Sequence, residues 1–206
     1  MGQKTNIHTK TVFAFDLDGT ITAEESLPAL AKAADCQAKI TELTRLTVAG
    51  AIPFAESFAR RVELLRHIPV NVAQNVMANL ALNEEVVAFI KENRERCVIV
   101  TGNLDLWAAP VAAVLGCPMF SSTGSETAEG LKVTSIIDKG SVIKNLRRTA
   151  KVIAAGDGAG DVPMLQAADF GIAFAGLHEP PPSLVAVADV VATDGKTLYN
   201  ILQKFL

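Results

Sequence analysis

The sequence predicts an α/β protein built on a doubly wound, mostly parallel sheet with a small helical insertion. Three observations carry that prediction. Five short apolar runs, at 12–15, 98–100, 152–155, 171–174 and 190–192, are continuous rather than alternating, as in strands covered on both faces. Helix-period segments at 105–115, 140–149, 160–167 and 196–205 fall between them, the alternation of helices layered on a parallel sheet. The third observation is a change of texture between the first two runs. Residues 23–82 hold six acidic and six basic side chains and no strand-like run.

The elements follow in order. The first run leads straight into Asp16-Leu17-Asp18-Gly19-Thr20. Beyond it, Ile40, Leu43 and Thr47 keep helical spacing, with Gly50 as a stop. Phe54, Phe58, Val62 and Leu65 make a second stripe, and Val72, Val76 and Leu80 a third. About sixty residues is long for one crossover, so 23–82 reads as a helical cap, and 1–22 with 83–206 as the core. The glycine- and hydroxyl-rich stretch 121–135 reads as an irregular or hairpin excursion, and Pro180-Pro181-Pro182 as a turn.

Composition excludes several classes. Of 206 residues half are apolar, and 19 basic against 22 acidic side chains leave a net charge of −3. A nearly neutral chain has no electrostatic pull toward nucleic acid or an anionic membrane, and the apolar content is too high for disorder. Nine Phe, one Trp and one Tyr are poor material for base stacking. The charge-free run 67–83 contains Asn71, Gln74, Asn75, Asn79 and Asn83, which hydrocarbon does not tolerate. Cys36, Cys97 and Cys117 lack CxxC spacing and do not cluster with His8, His67 or His178, so no zinc site is expected. The first residues carry no apolar stretch, and a cytoplasmic protein is expected. No residue pattern speaks to oligomeric state.

Polar groups then gather at the ends of three runs. Asp16 and Asp18, two apart on extended chain, point the same way at a strand's carboxyl end, the edge where open α/β sheets bind ligands. Two carboxylates there repel unless a cation or shared proton intervenes. A calcium loop is excluded, because its sixth and twelfth positions would be Ile21 and Leu27 instead of Gly and Glu. The second run ends in Thr101-Gly102-Asn103 and the third in Gly156-Asp157-Gly158-Ala159-Gly160-Asp161. Each motif alone is an ordinary turn; three on one sheet edge make a candidate site. Asp138 can cap the helix that begins near Gly140, leaving Lys139 in its first turn, where a cation is unfavourable unless an anion is close. Lys144, one turn on, is its rival.

Taken in order, Asp16-Leu17-Asp18-Gly19-Thr20, Thr101-Gly102, Lys139 and Gly156-Asp157-Gly158-x-x-Asp161 resemble the four motifs of the haloacid dehalogenase superfamily of phosphatases. The resemblance implies a Rossmann-type core, a small C1-type cap and Mg²⁺ as cofactor. It assigns Asp16 as nucleophile and Asp18 as general acid/base. Thr101, Gly102 and Lys139 would hold the phosphoryl group. The metal would fall to Asp16, the backbone carbonyl of Asp18, and Asp157. Asp161 would orient a metal-bound water or Lys139. Within the superfamily the chain most resembles phosphoserine phosphatase, with Glu25 nine residues after the nucleophile and Phe54 and Arg61 seven apart on a cap helix. Asn103 and Gly160 depart from that pattern, which usually has Gly and Asn there.

Seven residues is two helical turns less about 20°, so Arg61 shares the apolar face of Phe54 and Phe58. It needs an anion or a route to water: a clamp for a substrate carboxylate, with Glu25 meeting an ammonium, or an internal pair with Glu56 or Glu63. The expected function is therefore Mg²⁺-dependent hydrolysis of a small phosphorylated metabolite, phosphoserine or a similar phosphorylated amino acid, through an aspartyl-phosphate. Another small phosphate ester is the alternative. A phospho-aspartate signalling receiver, the rival of another class, lacks an acid/base two residues after its acceptor and has no sixty-residue cap.

Overall fold

The computed structural model describes residues 10–206 apart from 33 and 35. The start of the chain, read above as free of a leader, lies outside them. Strand β1 (Thr11–Phe15) enters a wide turn over Leu17–Ile21, closed where Thr22 N donates to Leu17 O at 2.8 Å. Four helices follow, α1 (Ser26–Ala31), α2 (Gln37–Val48), α3 (Phe54–Leu65) and α4 (Val70–Ala78). The rest runs α5 (Glu84–Glu92), β2 (Cys97–Leu104), α6 (Asp105–Leu115), β3 (Met119–Thr127), β4 (Gly130–Ser135), α7 (Lys139–Leu146), β5 (Lys151–Gly156), α8 (Val162–Ala167), β6 (Phe170–Phe174), α9 (Pro182–Val185), β7 (Val190–Ala192) and α10 (Gly195–Gln203).

Among the described residues, seven strands form one sheet in the order β4-β3-β2-β1-β5-β6-β7. All neighbours are parallel except the edge strand β4, which is antiparallel to β3. Successive side chains of β1 point to opposite faces, and each face feeds its own apolar cluster. Phe13 and Phe15 meet Phe89 of α5, Trp107 of α6 and Leu198 of α10 on one side. Val12 and Ala14 join Ile143 of α7 and Met164 and Leu165 of α8 on the other. Phe13 and Phe89 pack edge to face with centroids 4.9 Å apart, an arrangement that adds to simple area burial.

This order puts β1 between β2 and β5, with successive strands leaving it in opposite directions. The crevice at a strand-order reversal lies outside the carboxyl ends of the strands, where Asp16, Thr101 and Asp157 sit. The entry and exit of α1–α4 run side by side. Thr22 and Leu82 form an antiparallel bridge, Ala23 N donates to Ala81 O at 2.8 Å, and Glu24 Oε1 accepts from Ala81 N at 2.9 Å.

Two readings need correction. The stretch 121–135 does form a hairpin, but its first arm also extends the parallel sheet beside β2. A half-exposed, serine-rich edge gives no continuous apolar run. On α4 the inward face is Ala73 and Met77, while Val72 is 39% exposed and Val76 half-buried. Leu80, the third member of the expected stripe, is buried in the same cluster and Val76 packs against it, so the correction falls on Val72, whose inward place is taken by Ala73. No helix of the described residues is long and apolar enough to cross a membrane.

Candidate active site

The sheet ladder itself fixes Asp16, whose N–H donates to Ala155 O of β5 at 2.9 Å. Its carboxylate, 6% exposed, accepts from Lys139 Nζ at 2.5 Å, and the same ammonium donates to Asp161 Oδ1 at 2.7 Å. Lys139 is placed by the start of α7. Asp138 caps that helix, accepting from Ser141 N at 3.1 Å and Ser141 Oγ at 2.7 Å. Lys144, the rival, is exposed on the same helix. Asp161 turns back onto its own loop, its Oδ2 accepting from the N–H groups of Asp157 and Gly158 at 3.1 and 3.2 Å. One lysine thus bridges the first and last motifs of the chain.

Asp16, Asp157 and Asp161 each offer an oxygen within 4.8 Å of the others, and all three are buried. Asp157 Oδ2 is a buried acceptor with no hydrogen-bond partner, while Oδ1 meets Thr20 Oγ1 at a long 3.5 Å. Burial and the nearby Asp161 push the Asp16 carboxyl up to about 8 despite the pull of Lys139. Burial followed by Asp16 raises Asp157 well above the usual range. For Lys139 burial favours the neutral amine, but Asp16 and Asp161 outweigh it and hold the group protonated. Excess buried negative charge with an open carboxylate oxygen fits a hard divalent cation with oxygen ligands. Gly19 makes the approach possible: its φ is +76°, and a Cβ there would collide with the Asp157 carboxylate.

Asp18 is aimed from two sides. Its Oδ1 accepts from Ser26 N at the start of α1 (3.0 Å), and its Oδ2 from Asn103 Nδ2 (3.2 Å). Asn103 is itself fixed, donating to Ser26 Oγ at 2.7 Å and accepting from Leu104 N at 2.8 Å. Thr101 is fully buried, its Oγ1 accepts from Asn103 N at 3.0 Å, and it is not among the residues lining the pocket. Gly102 lines the pocket. A Cβ there would overlap the Phe54 ring, which stacks on Phe58 with centroids 5.3 Å apart.

The helical side of the pocket carries Glu25, Phe54 and Arg61. Glu56 pairs with Arg60 and Glu63 with Arg66, so neither neutralises Arg61. That guanidinium, 5% exposed, donates to Thr44 Oγ1 at 3.1 Å and to Ser57 O at 3.4 Å, and has no salt bridge among the described residues. Burial lowers its affinity for the proton, against the field of Asp18 and Glu25. Glu25 Oε1 is buried without a hydrogen bond, and burial raises its pKa.

A family model for haloacid dehalogenase-like hydrolases matches residues 13–166, from β1 through α8. The chain belongs to the haloacid dehalogenase-like hydrolase family. It is 33% identical over 196 residues to phosphoserine phosphatase SerB2 of Mycobacterium tuberculosis, covering 88% of this chain and 47% of that one. It is 29% identical over 210 residues to a phosphoserine phosphatase of Halobacterium salinarum, covering 93% and 97%. The chain spans about half the length of the first of these and of its Archaeoglobus fulgidus relative, at 47% and 52%. Its fold is also that of a phosphoserine phosphatase captured as a phospho-aspartyl intermediate analogue, with TM-score 0.81 and 24% identity over 95% of this chain and 98% of that one.

In this member of the haloacid dehalogenase-like hydrolases, Asp16, Asp18, Gly102, Lys139, Asp157 and Asp161 of the motifs line one pocket, together with Glu25, Phe54 and Arg61, while Thr101 is not among the lining residues. Sequence reasoning overlooked the supporting residues. Asn103 was visible only as a departure from a pattern, yet it ties Asp18 to Ser26. Thr44, Thr47 and Val48 of α2 back or line the helical side; their inward placement is the 3.6-residue face shared with Ile40, the one signal available. His178, whose Nε2 stands 3.5 Å from Glu25 Oε1, had none, because it sits in the loop 175–181 with no periodicity to read.

Proposed function

We propose that the chain is a Mg²⁺-dependent phosphomonoester hydrolase acting on a small phosphorylated amino acid, phosphoserine first, with residues 23–82 as the cap over a core of 1–22 and 83–206. The observation that carries the reading is the Lys139 bridge between Asp16 and Asp161 beside the open oxygen of Asp157. Asp16, held by Lys139, attacks phosphorus in line and becomes the aspartyl-phosphate. Asp18, aimed by Ser26 N and Asn103 Nδ2, protonates the departing alkoxide. It then takes a proton from the water that hydrolyses the intermediate. Lys139, the Thr101 hydroxyl and the backbone around Gly102 carry charge on the phosphoryl oxygens. Asp16, the backbone carbonyl of Asp18, and Asp157 would hold Mg²⁺, with Asp161 orienting Lys139. When bound, the metal neutralises charge on the phosphoryl group.

Substrate class rests on the helical side. A buried guanidinium without a carboxylate, and a buried carboxylate oxygen with no hydrogen bond and only the half-exposed His178 at 3.5 Å, are costly unless a ligand supplies better partners. A zwitterion carrying both an α-carboxylate and an ammonium supplies both. The closest alternative remains another small phosphate ester, for which only the core side would be used. The cytoplasm is the compartment this reading assigns, in keeping with three free cysteines. The test is a panel of phosphate esters assayed with Mg²⁺ and with excess chelator. Phosphoserine should exceed glycerol phosphate and sugar phosphates in kcat/KM, and chelator should abolish turnover. Full activity in chelator, or indifference to phosphoserine, contradicts the reading.

A further inference from the structure

Glu25 is approached from a second direction that the family motifs do not include. His178, in the loop between β6 and α9, brings Nε2 to 3.5 Å from Glu25 Oε1, too long for a hydrogen bond but within ion-pair range. The Glu25 side chain is 15% exposed and faces the pocket, whereas His178 is 44% exposed and stands outside it. The other charges in Glu25's field are Arg61 of α3, Asp18 of the first turn and, across the pocket, Asp157. Glu179, beside His178 on its loop, is exposed.

We propose that His178 is a specificity-determining residue: from the outer side of Glu25 it sets how strongly that carboxylate selects a cationic group on the substrate. The inference rests on the reading of Glu25 as the ammonium partner. An imidazolium in contact with Glu25 partly satisfies the carboxylate, so an incoming ammonium gains less; a neutral imidazole leaves the full charge to the substrate. Contact with Glu25 also raises the pKa of His178 against the effect of its partial burial. Linkage is reciprocal: a carboxylate that stabilises the imidazolium binds a second cation less tightly while the first is present. Selectivity for an aminated over a hydroxylated substrate therefore rises as His178 loses its proton.

The experiment compares kcat/KM for phosphoserine with that for 3-phosphoglycerate, which has a hydroxyl in place of the ammonium, using Mg²⁺-loaded enzyme between about pH 6 and 8.5. Both substrates carry a phosphate and a carboxylate, so their ratio isolates the amine. The wild-type ratio should rise roughly two- to fivefold across this range, the scale of a partly exposed ion pair. His178→Gln should be flat near the high-pH value and His178→Lys flat near the low-pH value. NMR titration gives a readout independent of turnover: the His178 midpoint should fall in Glu25→Gln. A ratio that rises identically in His178→Gln, or a midpoint unmoved by Glu25→Gln, overturns the role of His178 alone. A wild type that turns over p-nitrophenyl phosphate but never prefers phosphoserine overturns the ammonium reading of Glu25, and this inference with it.

Discussion

On the core side of the pocket the charged groups are held by one another: Lys139 by Asp16 and Asp161, Asp161 by two backbone amides, Asp18 by Ser26 N and Asn103. On the helical side Glu25 Oε1 has no hydrogen bond and Arg61 has no carboxylate. A satisfied network is rigid and needs no ligand to hold its geometry, which suits groups that must meet a transition state in a fixed arrangement. An unsatisfied pair of opposite charges is the reverse, since a ligand completes it. The exception on the core side is Asp157 Oδ2, an open acceptor beside Asp16 and Asp161, and it lies where a cation would bind. On the proposed function, the contrast separates chemistry, carried by the sheet edge, from selection, carried by the helical side.

Substitutions on the core side should lower turnover of every substrate. Asp16→Asn, which in the proposed mechanism removes the nucleophile and a metal ligand together, should cost on the order of 10⁴-fold or more in kcat with phosphoserine and p-nitrophenyl phosphate alike. Near-wild-type turnover by either would break the contrast at its strongest point.

A smaller and more selective loss is expected at Asp18. Asp18→Asn should cost about 10²- to 10⁴-fold on an alkyl phosphate, whose alkoxide needs a proton, and less in the phosphoryl-transfer burst with p-nitrophenyl phosphate. Asn103→Ala should show the same leaving-group pattern at roughly tenfold, the value of a lost hydrogen bond to a charged group. Equal losses on both leaving groups would make Asn103 a packing residue only.

The smallest effect is on stability. Asp16 has a folded-state pKa of about 8 against 3.8 when exposed, so the metal-free native state holds a proton that the unfolded chain has released. Stability in chelator is therefore fully present below about pH 4 and is lost as pH rises toward 8. Asp157 shifts in the same direction and adds to the trend. Metal binding requires the ionised carboxylates, so the gain in Tm on adding Mg²⁺ should be larger at pH 8 than at pH 5. A gain that does not change with pH would contradict the assigned electrostatics.

The core strands were legible because strands covered on both faces read as unbroken apolar runs, and Asp16, Asp18 and Asp157 because they follow directly on such runs. The β3 arm was not, since a half-exposed edge tolerates serines. Lys139 was legible from its place beside a capping aspartate, an arrangement the structure repeats with Asp138 and Ser141. The grip of Asn103 on Asp18 joins positions 85 apart in the chain, and no local pattern encodes such a contact. The same holds for His178 and Glu25, brought together only by the sheet order.

The central claim is that the two sides of the pocket do separate work, and Arg61 tests it most directly. In wild type and Arg61→Ala, kcat/KM should be measured for phosphoserine, which has a carboxylate, and p-nitrophenyl phosphate, which has none. Losing a buried charge partner costs about 2–5 kcal/mol, so phosphoserine turnover should fall roughly 30- to 5,000-fold. The p-nitrophenyl phosphate value should stay within a few-fold of wild type. Equal losses on both substrates would make Arg61 a structural residue of the helical side and contradict the division.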